Sequence, residues 1–172
     1  MNCGDSPGDF LGDSSAGFLG DFPVPDERPL TGPPTLTLTR TEPGELRLPR
    51  SGWLLRIARG SAGRPALEVH SEAGLIDVSV LTTLGVTPLR GGRRSGRSAS
   101  RWSLAWGQLP PGADVVEATF RARRRGLRVQ ALTIADAFWV AEVGDRFRSV
   151  TCSAGTTLVT ARVGREPRSR TR

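Results

Sequence analysis

Lysine and tyrosine are absent from this chain of 172 residues, and histidine and cysteine are nearly so. The one histidine, His70, and two distant cysteines, Cys3 and Cys152, are too few for a structural zinc site, which takes four ligands. Two cysteines also cannot build a disulfide framework, which favours a reducing compartment. We therefore expect no metal and no cofactor.

Long apolar runs are absent as well. No segment approaches the roughly 18 apolar residues of a transmembrane helix. The first residues, "MNCGDSPGDFLGD", lack the basic and apolar regions of a secretory signal. As written, the chain is therefore expected in the cytoplasm; a misassigned start codon would place it at the cell envelope instead.

Motifs for nucleophilic catalysis or phosphate binding are missing. The one G-x-S-x-G match, "GDSPG" at 4–8, lies among Gly, Asp, Ser and Pro residues rather than between a predicted strand and a helix, so it is not a nucleophile elbow. No G-x-x-x-x-G-K-[ST] loop is present. In "ALEVHSE", His70 falls on the face opposite Leu67 and Val69, which indicates an exposed strand histidine rather than a general base. Cys152 has no histidine or CxxC partner nearby and is interpreted as a small buried or half-buried residue. The sequence thus predicts no catalytic residue.

Charge is segregated along the chain, whose net value is +7. Residues 1–34 are rich in Gly, Asp, Ser and Pro, and their six acids against Arg28 give a net charge of −5. Such a segment cannot bury enough apolar surface to offset its chain entropy, so it is predicted to be a disordered acidic tail. The other 23 arginines and 11 acids give +12, and a basic body attracts polyanions.

Alternating apolar and polar residues begin at Thr35 and recur in short segments up to Val163, with turn residues between them. This pattern, without an amphipathic helix, predicts an all-β, antiparallel β-sandwich over 35–164, followed by a basic tail over 165–172. The alternation places Trp53, Trp102, Trp106, Phe120 and Trp139 in the core. The predicted strands are 35–41, 45–49, 52–60, 66–70, 74–81, 101–106, 114–122, 127–134, 137–143, 149–152 and 157–163.

The second half of the sandwich resembles a known type of domain. "WGQLPPGADVVEATF", the aromatic strand "DAFWVAEV" and the closing "VTCSAGTTL" follow the order found in small immunoglobulin-like β-sandwich domains of uncharacterised actinobacterial proteins. Ser153 departs from that pattern, which usually has an aspartate there. The resemblance covers 106–163, about a third of the chain. It implies an immunoglobulin-like fold and no particular activity.

Two segments concentrate arginine. "RGGRRSGRSASR" at 90–101 has no apolar periodicity and is predicted to be a mobile polar loop. "FRARRRGLR" at 120–128 is predicted to be a hairpin, with Gly126 at positive φ in its turn. Guanidinium groups on such a hairpin can bind phosphates with two hydrogen bonds each. The candidate polyanion-binding residues are the arginines of both segments: Arg93, Arg94, Arg97, Arg121, Arg123, Arg124, Arg125 and Arg128.

Three function hypotheses follow. The first is a non-catalytic binding or protein-interaction module with a protein partner. The alternative is polyanion or nucleic-acid binding through the arginine-rich hairpin and loop. The tryptophans fit core positions better than the base-stacking face that nucleic-acid binders use. An enzyme of unknown class is the third hypothesis; a deep pocket with converging acids would favour it.

Deleting residues 1–30 tests the acidic-tail prediction. The thermal midpoint of the remaining chain should stay nearly unchanged in a calorimetric scan, because this segment lacks core-forming residues. If the acids mask the basic body, the deletion should also strengthen retention on heparin at low salt. A large drop in the midpoint would contradict the tail, and unchanged retention would contradict the masking.

Overall fold

The structure, a computed structural model, describes residues 39–40, 44–96 and 100–166. Over these ranges the protein is all-β, with antiparallel sheets, one 3-10 turn at Ser61–Gly63 and no α-helix. The all-β prediction is therefore confirmed. No helix within these ranges could cross a bilayer. The predicted acidic tail, the predicted strand up to residue 38, Arg97 and residues 167–172 lie outside the described residues.

The first sheet, sheet A, is a meander in which each strand pairs antiparallel with the next along the chain. Alternation such as that in "GWLLRIARG" places Leu55 and Ile57 on the inner face, as predicted. The strands of sheet A are β1 (Thr39–Arg40), β2 (Glu45–Arg47), β3 (Leu54–Arg59), β4 (Pro65–Ser71) and β5 (Gly74–Val80).

The remaining strands of the described chain form two further sheets, B and C. Sheet B has the order β10-β11-β7-β6-β14 and includes one short parallel pair, β14 with β6. Its strands are β6 (Gly91–Arg94), β7 (Ser103–Gln108), β10 (Leu132–Ile134), β11 (Phe138–Val143) and β14 (Gly164–Arg165). Sheet C has the order β13-β12-β8-β9. Its strands are β8 (Glu117–Ala122), β9 (Arg125–Gln130), β12 (Ser149–Ala154) and β13 (Thr157–Arg162).

Sheet B is the middle layer of three. Every residue of β7 and β11 is buried, because both faces of these strands are covered. Trp106 and Phe138 pack toward sheet A, in a cluster with Trp53. Trp139 and Ala141 point the other way and pack against sheet C. Two hydrophobic cores therefore lie on either side of one sheet.

The predicted burial of the large aromatic side chains is confirmed. Trp102, Trp106, Phe120 and Trp139 expose only 2%, 1%, 0% and 0% of their surface. Trp102 also packs edge-to-face on Trp53, with 5.4 Å between the ring centroids, an arrangement favoured by aromatic quadrupoles. Strict alternation is thus a reliable guide to which side of each strand is apolar.

The prediction of a mobile loop at 90–101 is wrong for its first part. Residues 91–94 form β6, which pairs antiparallel with β7, and Gly91 lies opposite Trp106. A Cβ added at Gly91 would lie 2.7 Å from Trp106 Cε2. Glycine is therefore what lets the strand lie under the indole ring. The strand lacks apolar periodicity because the neighbouring tryptophan fills the core at this position.

The arginine-rich hairpin differs from its prediction in register. Ala122 pairs with Arg125, so the two-residue turn is Arg123–Arg124, and Arg125 already belongs to β9. Gly126 pairs with Arg121 within the strand and does not take a positive φ. The hairpin itself is confirmed, whereas its turn lies one residue earlier than the predicted turn at Arg124 and Arg125.

Two predicted boundaries also change. The single predicted strand 127–134 is split at Ala131 into β9 of sheet C and β10 of sheet B. Ala131 N donates to Val116 O at 2.8 Å as the chain passes between the sheets. The ordered body continues past the predicted boundary at 164, since β14 follows and Glu166 N donates to Arg94 O at 2.9 Å.

Gly91→Ala tests the close approach of β6 to Trp106. The added methyl group should destabilise the protein by about 1–3 kcal/mol, as overpacking of a filled core does. The matched control is Gly126→Ala, whose Cβ would come no closer than 3.6 Å to Phe120 O; it should cost nothing. Urea denaturation measures the stability of both variants. Equal stability of the two would contradict the close approach of β6 to Trp106.

Candidate functional site

A row of side chains crosses the outer face of sheet C. Ser149 on β12 pairs with Arg121 on β8 and with Arg162 on β13. Directly paired residues point to the same face, and Arg121 and Arg162 are both exposed. Neighbouring strands are about 4.8 Å apart, so these two arginines stand about 10 Å apart on a rigid surface, with Ser149 between them.

The next row on that face is mainly threonine. Thr160, Thr151 and Thr119 lie side by side with Arg128, and the hydroxyls of Thr151 and Thr160 are 2.8 Å apart in a hydrogen bond. Arg128 forms an ion pair with Glu117, which lies on the same strand as Thr119. The outer face of sheet C is therefore mainly polar, apart from the exposed Leu158 in the following row, and one of its arginines is already neutralised.

The turn of the hairpin contributes exposed charge at the same end of sheet C. Arg123 and Arg124 form the turn that follows Arg121 and are both exposed. Within the described ranges, no carboxylate makes an ion pair with Arg121, Arg123, Arg124 or Arg162. These four arginines, called here the sheet C arginines, leave an uncompensated positive surface.

Arg125 has a structural role instead. Its guanidinium forms an ion pair with Asp145 and lies 5.5 Å from the centroid of the Phe147 ring. A cation over an aromatic face is attracted by the ring quadrupole. Arg125 therefore holds the turn between β11 and β12, and its charge is partly compensated.

The structure places Arg93 and Arg94 on opposite faces of β6. Arg93 lies opposite Leu104 on the side of sheet A, and its Nη1 donates to Gly92 O at 3.0 Å. Arg94 lies opposite Ser103 on β7 and beside Arg165 on β14. The two arginines therefore belong to different surroundings, although they are adjacent in the sequence.

Arg94 is the arginine with the least favourable environment. Its Nε is buried and has no hydrogen-bond partner among the described residues. Burial, and then the charges of Arg165, Arg148 and Arg146, lower the pKa of Arg94 below its usual value. This second group, Arg94, Arg146, Arg148 and Arg165, is called here the β6 arginine cluster.

Sequence reasoning missed most of the β6 arginine cluster. Only Arg94 was among the predicted polyanion-binding residues, and Arg165 fell in a predicted tail. Arg146 and Arg148 come from the turn between β11 and β12, about 50 residues along the chain. The R-x-R spacing in "GDRFRSV" is the only local signal, and it does not indicate which strand the turn approaches.

His70 is a partner of a surface carboxylate. Its Nε2 lies 3.1 Å from Glu68 Oε2, which also accepts from Arg56 Nη2 at 2.7 Å. The hydrogen bond from His70 and then those from Arg56 lower the pKa of Glu68 against the opposing effect of burial. His70 lies opposite the buried face of Leu67 and Val69, as predicted, but it is half-buried rather than fully exposed.

Two other carboxylates tie sheet A to sheet B. Asp77 Oδ2 accepts from Trp106 Nε1 at 2.9 Å and pairs with Arg90. The buried carboxylate of Glu142 accepts from Arg50 N at 2.9 Å and Ser51 N at 2.7 Å. Both acids satisfy donors between the layers, and they explain why these positions on apolar strands are acidic.

An open groove of about 520 Å³ lies beside the "LPPGAD" turn. Asp114 and Asp136 both line it and both are exposed. No group of three or more histidine, cysteine or acidic residues suited to a metal ion occurs among the residues that the structure describes.

Cys152 is completely buried, in agreement with its prediction as a small core residue. Desolvation by burial raises the pKa of the Cys152 thiol to about 11. The thiolate, which is the reactive form, is therefore scarce near neutral pH.

Searches of protein-family models, curated proteins and solved structures found no match to this chain.

A thiol-labelling experiment checks the environment of Cys152. In a Cys3→Ser variant at pH 8, Cys152 should react with an aromatic disulfide reagent far more slowly than in the same protein unfolded in guanidinium chloride. Its raised pKa keeps the thiol protonated at this pH, and rapid labelling of the native protein would contradict its burial.

Proposed function

We propose that this chain is a non-catalytic binding module that binds a polyanion through the outer face of sheet C. The observation that supports this function is the set of four sheet C arginines. They are exposed, come from the two strands on either side of β12 and from one turn, and have no acidic partner among the described residues. Arg125 and Arg128, in contrast, are paired with acids nearby.

The surface suits a ligand with regularly spaced anionic groups. Guanidinium groups bind phosphate and sulfate with two parallel hydrogen bonds. Strand pairing fixes the spacing of Arg121 and Arg162, so binding restricts their motion less than it would restrict arginines on a mobile loop. The four tryptophans are all buried, which favours recognition of backbone charge over stacking on bases.

The immunoglobulin-like description is part of the same proposal. Sheets B and C face each other across one apolar core, and both draw mainly on the segment that carries the resemblance. In this proposal they form the binding sandwich. Sheet A then adds a third layer that covers the other side of sheet B.

A protein partner is the second candidate, and β5 favours it. This strand forms one edge of sheet A, and its Leu75 and Val78 expose 56% and 38% of their surface. An exposed apolar edge strand can pair with an extended segment of another chain.

Charge-matched variants test polyanion binding. The triple variant Arg121→Gln, Arg124→Gln, Arg162→Gln should weaken binding of a fluorescent DNA duplex, measured by anisotropy at several salt concentrations. The slope of log K against log salt should flatten by up to about 0.9 for each phosphate that the variant no longer neutralises. Retention on heparin should fall in parallel.

The control is a second triple variant, Arg47→Gln, Arg59→Gln, Arg64→Gln, which removes three positive charges from sheet A and its turns. All three arginines are exposed. It should bind nearly as well as the parent protein. Equal weakening of both triple variants would mean that only net charge matters, which would refute a site on sheet C. No binding of either probe at low salt would refute polyanion binding altogether.

A further inference from the structure

The β6 arginine cluster lies at the open edge of the core between sheets B and C. On β6, Gly92 faces Val150 and Val163 of that core. Arg94, two residues further along the strand, therefore points to the same side. The parallel pairing with β14 places Arg165 directly beside Arg94, and Arg165 is exposed. One wall of this edge thus carries two adjacent guanidinium groups.

The opposite wall is the turn between β11 and β12, which carries Arg146 and Arg148. Arg146 Nε donates to Ser95 Oγ at 3.1 Å, one residue after Arg94. Arg148 is exposed, and its carbonyl oxygen accepts from Val163 N at 2.8 Å. These hydrogen bonds therefore hold the turn against the strands that carry Arg94 and Arg165.

Two serines fix this arrangement independently of the arginine charges. Ser95 Oγ also accepts from Trp102 N at 3.2 Å. Ser103, directly opposite Arg94, accepts from Phe147 N at 2.9 Å and donates to Asp145 O at 2.7 Å. The backbone on both sides of the cluster is therefore preorganised, as a binding site requires.

Three members of the cluster lack an acidic partner. Within the described ranges, no carboxylate pairs with Arg94, Arg148 or Arg165. Burial and three like charges lower the pKa of Arg94, and its buried Nε has no acceptor among these residues. A buried donor without an acceptor is unfavourable, as are like charges held together. A bound anion would relieve the repulsion among the like charges.

We propose that Arg94, Arg148 and Arg165, with Arg146 beside them, bind one tetrahedral oxyanion, a phosphate or sulfate group. Such a group offers several acceptor oxygens to planar guanidinium donors approaching from two walls. Arg94, which is half-buried, would supply the innermost contact, and Arg165 and Arg148, which are exposed, the outer ones. This site uses none of the sheet C arginines and does not depend on the polyanion surface proposed above.

The test measures the full chain with inorganic phosphate, against sodium chloride at equal ionic strength. Phosphate should raise the thermal midpoint in a saturable way, because it binds the folded state, and titration calorimetry should give a single site. Arg165→Gln should weaken phosphate binding about tenfold or more, the usual effect of removing a charge-assisted hydrogen bond. Arg165 is exposed, so this variant should fold normally.

Arg59→Gln is the matched control, because it removes an exposed arginine from sheet A that belongs to neither group of arginines. It should leave phosphate binding unchanged. Arg94→Gln, tested for folding by circular dichroism, should abolish binding, and Arg94→Lys should restore little, since lysine has no Nε–H fork. An equal midpoint rise in chloride, or unchanged phosphate binding by Arg165→Gln, would overturn the proposal.

Heparin and DNA distinguish a free anion from a group on a polymer. If phosphate saturates the site and Arg165→Gln leaves heparin and DNA binding unchanged, the site takes a free anion. If Arg165→Gln weakens polymer binding and phosphate competes with the polymer, the site takes one group of a larger ligand. No effect of the variant on any of the three probes would refute the site, whatever the sheet C triple variant does.

Discussion

Burial of both faces of sheet B is the constraint on which the rest of the structure depends. Strands β7 and β11 are almost completely buried, so the polar side chains on them depend on partners from outside the sheet. Trp106 Nε1 donates to Asp77, and Trp139 Nε1 donates to Pro88 O at 2.6 Å. The Glu142 carboxylate accepts two backbone N–H groups from the turn between β2 and β3. The bonds of Asp77 and Glu142 align sheet A on the middle sheet.

The same constraint decides where charge can go. Two apolar cores fill the interior, so guanidinium groups lie mainly on the outer faces of sheets A and C and at the edge near β14. On sheet A the central arginine, Arg56, is matched by Glu68. On sheet C and at the β6 edge, several arginines have no matching acid among the described residues. Exposed arginines without an ion pair among the described residues also occur on sheet A, as at Arg47 and Arg59. The proposed binding surfaces are distinguished from the ordinary exterior by the strand pairing that brings several such arginines together.

Alternation in the sequence predicted most strands and the faces of the tryptophans, because a side-chain period of two is a local property. It failed at β6, where two glycines and two arginines carry no apolar signal and Trp106 occupies the core in their place. It also failed at Ala131, where the apolar positions change from 127, 129 and 131 to 132 and 134 as the chain passes from sheet C to sheet B. The arginines of one hairpin could be predicted together. The β6 arginine cluster could not, because its members meet only through pairing between distant strands.

The parallel pair of β6 and β14 has a consequence for folding. Sheet A needs only hairpins between consecutive strands, so its pairing can form while later parts of the chain are still being synthesised. Strand β6, in contrast, gains its second neighbour only after residue 165 has been made, some 70 residues later. Until then its edge offers free N–H and C=O groups to any other extended chain. Assembly of the middle layer is thus expected to be the slow step, and the interval before β14 docks is when the nascent protein is most exposed to aggregation.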